Sequence, residues 1–287
     1  MLLAALVSWF LTRLLLAPVR RIIGGIQQLS AGDYTQTLVG GQDEYGRLMD
    51  DINHLSNTLQ KNQSSRRRWL ADISHELRTP LSILTGEIEA LKDGVRPFNG
   101  EQLASLDQEV QRLRFLTDDL YQLSLSDIGG LRYEFVPIDF AESIKCVVKD
   151  YQSAAEELDI TLSFAASKAI QINADQSRLA QLLANLLRNS LAYTNPGGVI
   201  TLSLKREHNK AILQIHDTPP GVTQEECDKL FEPLYRQDES RSRRSEGAGL
   251  GLAICRNIVE AHRGTITAAP SPLGGLEVTM TLPVWES

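Results

Sequence analysis

Leu70, Leu77, Leu84 and Leu91 recur every seven residues, and a stripe of that period is a helical seam that other helices have to cover. A second seam follows it. Leu103, Leu106, Val110, Leu113, Leu120 and Leu123 share one face of a segment from Glu101 to Ser126, which the turn residues Asp93-Gly94, Pro97 and Asn99-Gly100 separate from Asn62 to Lys92. One hairpin cannot bury both sides of its stripes, whereas two close into a four-helix bundle, so the pattern predicts a homodimer. Asp118-Asp119 and the run Arg66-Arg67-Arg68 read as solvated faces of these helices.

Counted from the seam, His75 takes an outward heptad position, with Glu76 beside it and Thr79 one turn further along the same face. Pro80 lacks a backbone donor and clashes with the carbonyl of Glu76, at ~3 kcal/mol in a helix interior, which predicts a bend just beyond the histidine. His54, His208, His216 and His262 lack such a setting and read as ordinary surface or core residues. The string Ser74-His75-Glu76-Leu77-Arg78-Thr79-Pro80-Leu81 resembles the H-box of the sensor histidine kinases, whose imidazole is phosphorylated by ATP.

The 287 residues, 42% hydrophobic and 6% aromatic, suffice for two or three small domains. With 29 Lys and Arg against 36 Asp and Glu, the net charge of −7 gives no electrostatic footing for nucleic acid, and no direct nucleic-acid partner is expected. Cys146, Cys227 and Cys255 are scattered without CxxC spacing, which suits a reducing cytosol and argues against a disulfide frame or zinc site.

Met1 to Thr12 are apolar, and Arg13 precedes a further apolar patch, Leu14 to Ala17. Twelve helical residues cover ~18 Å where a bilayer core needs ~30 Å, so the stretch is too short to span alone. It lacks the basic start and small-residue cleavage site of a signal peptide. Residues 1–17 are expected to be the cytoplasmic half of a membrane helix whose upstream part is missing. Arg13, Arg20 and Arg21 fit positive-inside orientation. The expected location is the bacterial inner membrane, with the bulk of the chain in the cytoplasm. A buried amphipathic leader is the other reading. Residues 18–61 show helix, connector, helix: Val19, Ile22, Ile26 and Leu29, then Leu48, Ile52, Leu55 and Leu59, with breaks at Ala31-Gly32-Asp33 and Gly40-Gly41. With Pro18 and the motif from Asp43 to Gly46, this resembles a HAMP signal-relay module; a plain coiled-coil spacer would look similar. The histidine hairpin then occupies 62–128.

Beyond Gly130 the period changes. Strand-like runs at Thr161 to Phe164, Ile170 to Ala174, Val199 to Lys205, Ala211 to His216, Thr265 to Ala268 and Leu276 to Leu282 surround helices near Asp139 to Glu157, Asp175 to Tyr193 and Leu250 to Ala261. Hairpin-length turns such as Glu207-His208-Asn209 predict an α/β sandwich over 134–285 and not a doubly wound parallel sheet. Asn185 and Asn189, four residues apart, share a helix face, and amide oxygens can hold magnesium while leaving positions to phosphates. The glycines of Gly247-Ala248-Gly249-Leu250-Gly251 let backbone N–H groups approach phosphates at the start of a helix.

Four motifs stand in the order of the ATP-binding domain of histidine kinases and related ATPases, the GHKL or Bergerat type. Asn185 to Thr194 resembles the N-box, Asp217 to Gly221 the G1 box, Leu230 to Arg236 the F-box, and Gly247 to Leu252 the G2 box. The resemblance implies ATP and Mg2+ as ligands, with Asn189 the principal metal ligand and Asn185 beside it. It implies a bond from adenine to Asp217, and nucleotide contacts from Arg188, Tyr193, Gly221, Phe231, Gly247, Gly249, Leu250 and Gly251. Arg236 is expected on the transferred phosphate, within a lid that also carries Arg241, Arg243 and Arg244. The chain departs from the pattern at Ala192 (usually basic), Arg188 (usually acidic or amide), Pro219 (usually glycine) and Pro233-Leu234. Arg188, one turn from Ala192, is expected to restore part of the lost charge.

The whole is expected to be a multidomain chain: membrane-helix stub, HAMP coiled coil, dimeric four-helix-bundle phosphotransfer domain and α/β-sandwich ATP-binding domain. By family resemblance His75 is phosphorylated from ATP and passes the phosphoryl group to an aspartate of a response regulator. Glu76 takes the proton from the other ring nitrogen, and Thr79 orients water for the reverse, phosphatase reaction. The alternatives are a kinase-impaired dimeric scaffold that binds or dephosphorylates the regulator, and a mechanochemical ATPase of the gyrase or chaperone type, which the H-box disfavours.

Overall fold

The computed structural model describes residues 2–35, 37–41, 43–127, 130–166, 168–235 and 249–285, in two compact units, Met1–Ile73 and Ser74–Ser287. In the first unit α1 (Leu2–Ser30) runs unbroken through Pro18, so the division expected at residues 17 and 18 falls inside a helix. Among the described residues no helix is long and apolar enough to cross a membrane. Helix α1 ends where Gly32 takes a φ of 83°, the left-handed turn that glycine supplies at helix C-termini. Asp43 opens α2 (Glu44–Lys92) by accepting the Gly46 N–H at 2.9 Å.

The connector lies along α2. Asn53 Oδ1 accepts the Leu38 N–H and its Nδ2 donates to the Leu38 carbonyl, both at 2.8 Å, while Ser56 donates to the Tyr34 carbonyl at 2.9 Å. A Cβ on Gly46 would stand 1.8 Å from the Gly41 carbonyl oxygen. The glycine that closes the Asp43-to-Gly46 motif is therefore required by the backbone passing over it.

Helix α2 is continuous for 49 residues, so the boundary drawn between residues 61 and 62 is no backbone break, and the relay arm runs directly into the histidine arm. It also continues through Pro80, whose ring is buried. Asn99 caps α3 (Gly100–Asp127) by accepting the Gln102 N–H at 2.9 Å. The two arms are tied where Ser105 donates to Glu87 Oε1 at 3.1 Å. Leu116 and Leu123 are buried, whereas Leu70, Leu81, Ile88, Leu103 and Val110 stay exposed, Leu81 by 59% and Leu103 by 55%. Among the described residues, Leu81, Ile88, Leu103 and Val110 thus leave apolar surface open along the hairpin.

The remaining elements are β1 (Val136–Asp139), α4 (Phe140–Glu157), β2 (Thr161–Ala166), β3 (Gln171–Ala174), α5 (Gln176–Tyr193), β4 (Val199–Glu207), β5 (Lys210–Asp217), α6 (Gln224–Cys227), α7 (Gly251–Ala261), β6 (Thr265–Pro270) and β7 (Leu276–Pro283). Five strands form a mixed sheet in the order β2-β4-β5-β7-β6, with β2 parallel to β4 and the other neighbours antiparallel, and β1 pairs with β3 apart from it. The sandwich expected from the hairpin turns is therefore present, with His208 at a φ of 54° in the β4–β5 turn. Alternate residues Ile200, Leu202, Leu204, Leu213, Ile215, Val278 and Met280 are buried with Leu179, Leu182, Leu183 and Leu186 of α5 and Ile254 and Ile258 of α7, as period-two strands under amphipathic helices require. Asp139 and Asp175 cap α4 and α5, accepting N–H groups from Ala141 and Glu142 and from Ser177 and Arg178.

Candidate active site

Asp217 closes β5 and is 5% exposed. Its Oδ1 accepts the Leu276 N–H from the start of β7 at 2.6 Å, and the Ser190 hydroxyl of α5 also binds it. Burial pushes the carboxyl up to about 6, against the Leu276 N–H, the Ser190 hydroxyl and the neighbouring His216, which pull it down. Glycines let other backbone close on this corner. A Cβ on Gly275 would lie 2.3 Å from Asp217 Oδ1, and one on Gly221 would lie 2.5 Å from the Gly274 carbonyl oxygen. Pro219, the departure in the G1 box, packs its ring over Gly274, whose φ is 94°.

Gly249 has a φ of 72° and accepts the Leu234 N–H at 3.0 Å, so the two chain segments flanking 236–248 meet there. Arg236, Gly247 and the arginines at 241, 243 and 244 lie outside the described residues. Leu250 is fully buried, and among the described residues no side chain caps the N-terminus of α7, the end of a helix that favours an anion. Asn185, buried on α5, donates from Nδ2 to the Gly251 carbonyl at 3.4 Å, which joins the N-box to the G2 box. Phe231 is a buried anchor with the Arg256 guanidinium 4.8 Å from its ring centroid. Asn189 and Tyr193 are half-buried further along α5, and Gly221 is exposed.

Arg188 does not turn toward Ala192. Its guanidinium donates to Asn185 Oδ1, lies 5.8 Å from the centroid of the Phe115 ring and sits in the field of Asp119, both on α3. Asp119 is accordingly half-buried instead of solvated. Burial raises its carboxyl to about 6, with Arg188 pulling down and Asp118 pushing up. The expected solvated pair thus divides: Asp118 is exposed and Asp119 half-buried, within the field of Arg188, which itself stays exposed.

A nucleotide fits this corner: it offers a buried acceptor, backbone approaches that only glycine permits, and an uncapped helix start. Asn189, half-buried one turn beyond Asn185 on α5, carries an amide oxygen of the type magnesium accepts. The Asn185 oxygen is already engaged by a cation, which opposes a second cation there. His75 stands exposed on α2 with Glu76 half-buried beside it, and the Thr79 hydroxyl donates back to the His75 carbonyl at 3.3 Å. Among the described residues no group of three His, Cys, Asp or Glu side chains could hold a metal ion. Cys227 and Cys255 are buried and Cys146 is exposed, all as free thiols.

Family comparisons place three modules along the chain: the HAMP domain over 10–61, the His Kinase A (phospho-acceptor) domain over 65–129, and the histidine kinase-, DNA gyrase B- and HSP90-like ATPase over 174–286. The signal transduction histidine-protein kinase BaeS of Escherichia coli is 47% identical over 99% of the chain. This chain belongs to the sensor histidine kinases. It spans 61% of the length of BaeS. The Acinetobacter baumannii histidine kinase AdeS superposes with a TM-score of 0.63 at 28% identity, over 74% of this chain and 98% of that one. The histidine kinase ThkA, solved in complex with the response regulator protein TrrA, shares the fold with a TM-score of 0.56 at 22% identity, over 79% of this chain and 66% of that one.

Within this histidine kinase fold, several residues around the site escape motif reading. Ser190 and the Leu276 N–H hold Asp217, and Gly274 and Gly275 give the space. His262 is a buried structural residue, as expected. Its Nδ1 pairs with the Ile258 carbonyl at 2.7 Å and its Nε2 accepts the Asp175 N–H at 3.0 Å, so the ring is neutral with its proton on Nδ1. Tyr133 and Phe135 pack edge-on against it. Burial opposes ionisation of Asp175, but N–H groups of Glu134, Ser177 and Arg178 with the Ser177 hydroxyl hold its carboxyl below the ordinary range. The segment before β1 is thereby fastened to the start of α5.

Burial lowers the His262 pKa below its ordinary 6.5. The unfolded state then takes up the proton first, so the stability that neutral His262 contributes is fully present above 6.5 and is lost as pH falls toward the folded value. Melting temperatures measured from pH 8 down to pH 5 are expected to fall less steeply in His262→Gln than in the wild type. An unchanged slope would remove His262 from that dependence.

Proposed function

We propose that the chain is the signalling part of a two-component sensor histidine kinase, which phosphorylates His75 from ATP and passes the phosphoryl group to an aspartate on the receiver domain of a BaeR-like response regulator. The observation that carries the reading is the presence, in the unit Ser74–Ser287, of an exposed H-box imidazole and a buried acceptor site beside an uncapped helix start. ATP supplies the phosphoryl group, and magnesium held by Asn189 offsets its charge. One ring nitrogen of His75 forms the N–P bond as the bond to the ADP oxygen breaks, and Glu76 takes the proton from the other nitrogen. Thr79 serves the reverse direction by orienting water toward a phosphorylated regulator. The exposed stripe of Leu70, Leu81, Ile88, Leu103 and Val110 is the homodimer contact. The N-terminal helix joins the bacterial inner membrane, with the bulk of the chain in the cytoplasm.

Incubation of the full chain with γ-labelled ATP and magnesium is expected to give acid-labile, base-stable label that disappears in His75→Gln. Absence of label in a folded wild-type dimer would overturn autokinase activity. It would favour the regulator-binding scaffold, toward which one observation points: the engagement of the Asn185 oxygen by Arg188.

A further inference from the structure

Arg188 of the N-box meets the histidine hairpin through a ring contact and a charge, while its hydrogen bond runs back to its own helix. On the α5 side its guanidinium donates to Asn185 Oδ1, and Asn185 in turn donates to Gly251 at the start of α7. On the α3 side it lies over the Phe115 ring and faces the half-buried Asp119, one helical turn further along. The same two helices also meet where Gln181 donates to Gln122. Helix α3 is thus joined by a chain of contacts through Arg188 and Asn185 to the helix start on which the nucleotide phosphates are expected.

We propose that Arg188 is a positioning residue that couples the seat of α3 to magnesium-nucleotide binding, by sharing one guanidinium between Asp119 and the Asn185 amide oxygen. The proposal rests on the nucleotide-binding reading given above. Seated over the Phe115 ring with Asp119 one turn away, the guanidinium divides its field between the Asp119 carboxylate and the Asn185 oxygen, and the more of it Asp119 offsets, the less falls on the metal position at Asn189. When α3 moves, Asp119 withdraws, and the uncompensated cation is left on the N-box. Signal arriving along the hairpin would then alter the magnesium requirement without touching the nucleotide.

The test uses the full chain and a fluorescent ATP analogue, whose binding is followed as magnesium is titrated in wild type, Asp119→Asn, Arg188→Ala and the double variant. Asp119→Asn is near-isosteric and removes only the charge. It is expected to raise the magnesium midpoint about five-fold, and to change it by less than half as much on a logarithmic scale when Arg188 is already Ala. In the nucleotide-free protein, Arg188→Ala is expected to speed amide exchange at Phe115 to Asp119, a readout independent of bound ligand. An equal shift in both backgrounds, or no shift in either, would overturn the coupling, whatever happens to the melting temperature. A wild type that binds the analogue without any magnesium dependence, or not at all, would instead overturn the nucleotide reading itself.

Discussion

Asp217→Asn is expected to weaken ATP binding by about 100-fold, the scale for a charged hydrogen bond lost in a site built around it, while the α/β domain stays folded and its melting temperature holds or rises. The two halves of this expectation have one cause. The carboxyl is buried where its ordinary value of 3.8 is raised to about 6. Between those values the folded state binds the proton more readily than the unfolded one, so stability falls as pH rises through that window. At neutral pH the ionised carboxylate costs the fold on the order of 3 kcal/mol. Asparagine keeps an acceptor for the Leu276 N–H and the Ser190 hydroxyl but removes the charge. What it loses is the carboxylate that accepts from an adenine amino group. Calorimetric titration with ATP and thermal melts of both proteins at pH 7.5 check this. In the wild type, affinity is further expected to decline as pH drops below 6. Unchanged affinity would detach Asp217 from the nucleotide, and a collapse of the melting temperature would make its role structural.

What could be read from the chain before the structure was local. Helix starts at Asp139 and Asp175 are legible because a capping carboxylate binds N–H groups two or three residues away. The strands of the main sheet are legible because their alternation is period two over five or more residues. The strand β1 is four residues long, contains Pro137 and finds its pairing in β3, so nothing near it in sequence announces it. The nucleotide motifs are runs of neighbours, so each is legible by itself. The partners that tune them come from far along the chain. Asp217 is held from Leu276, and the charge of Arg188 bears on Asp119, which reads as solvated in the sequence because that charge comes from far along the chain. Likewise the sequence places Arg188 one turn from Ala192, whereas it contacts Asn185 on α5 and the Phe115 ring on α3.

Gly275→Ala is expected to abolish nucleotide binding and lower the melting temperature by roughly 10 °C, in contrast to Asp217→Asn, although the two positions touch. The added Cβ would stand 2.3 Å from Asp217 Oδ1 and 2.4 Å from the Asp217 carbonyl oxygen. The second contact is to backbone, so no rotamer change relieves it, and the end of β5 has to part from the start of β7. Parting them breaks the 2.6 Å bond from the Leu276 N–H to Asp217 and leaves the buried carboxylate with the Ser190 hydroxyl but without that backbone donor, a further loss of roughly 1–3 kcal/mol. Gly86→Ala serves as the control, since a Cβ there meets nothing within 4 Å and lies on a helix that alanine favours. The decisive variant adds Asp217→Ala to Gly275→Ala. If only the carboxylate stood in the way, shortening it would restore the melting temperature; because the carbonyl oxygen of the same residue blocks the methyl as well, the double variant is expected to stay as unstable as Gly275→Ala. Full recovery would show that the backbone there yields and that Gly275 is required by the side chain of Asp217 alone.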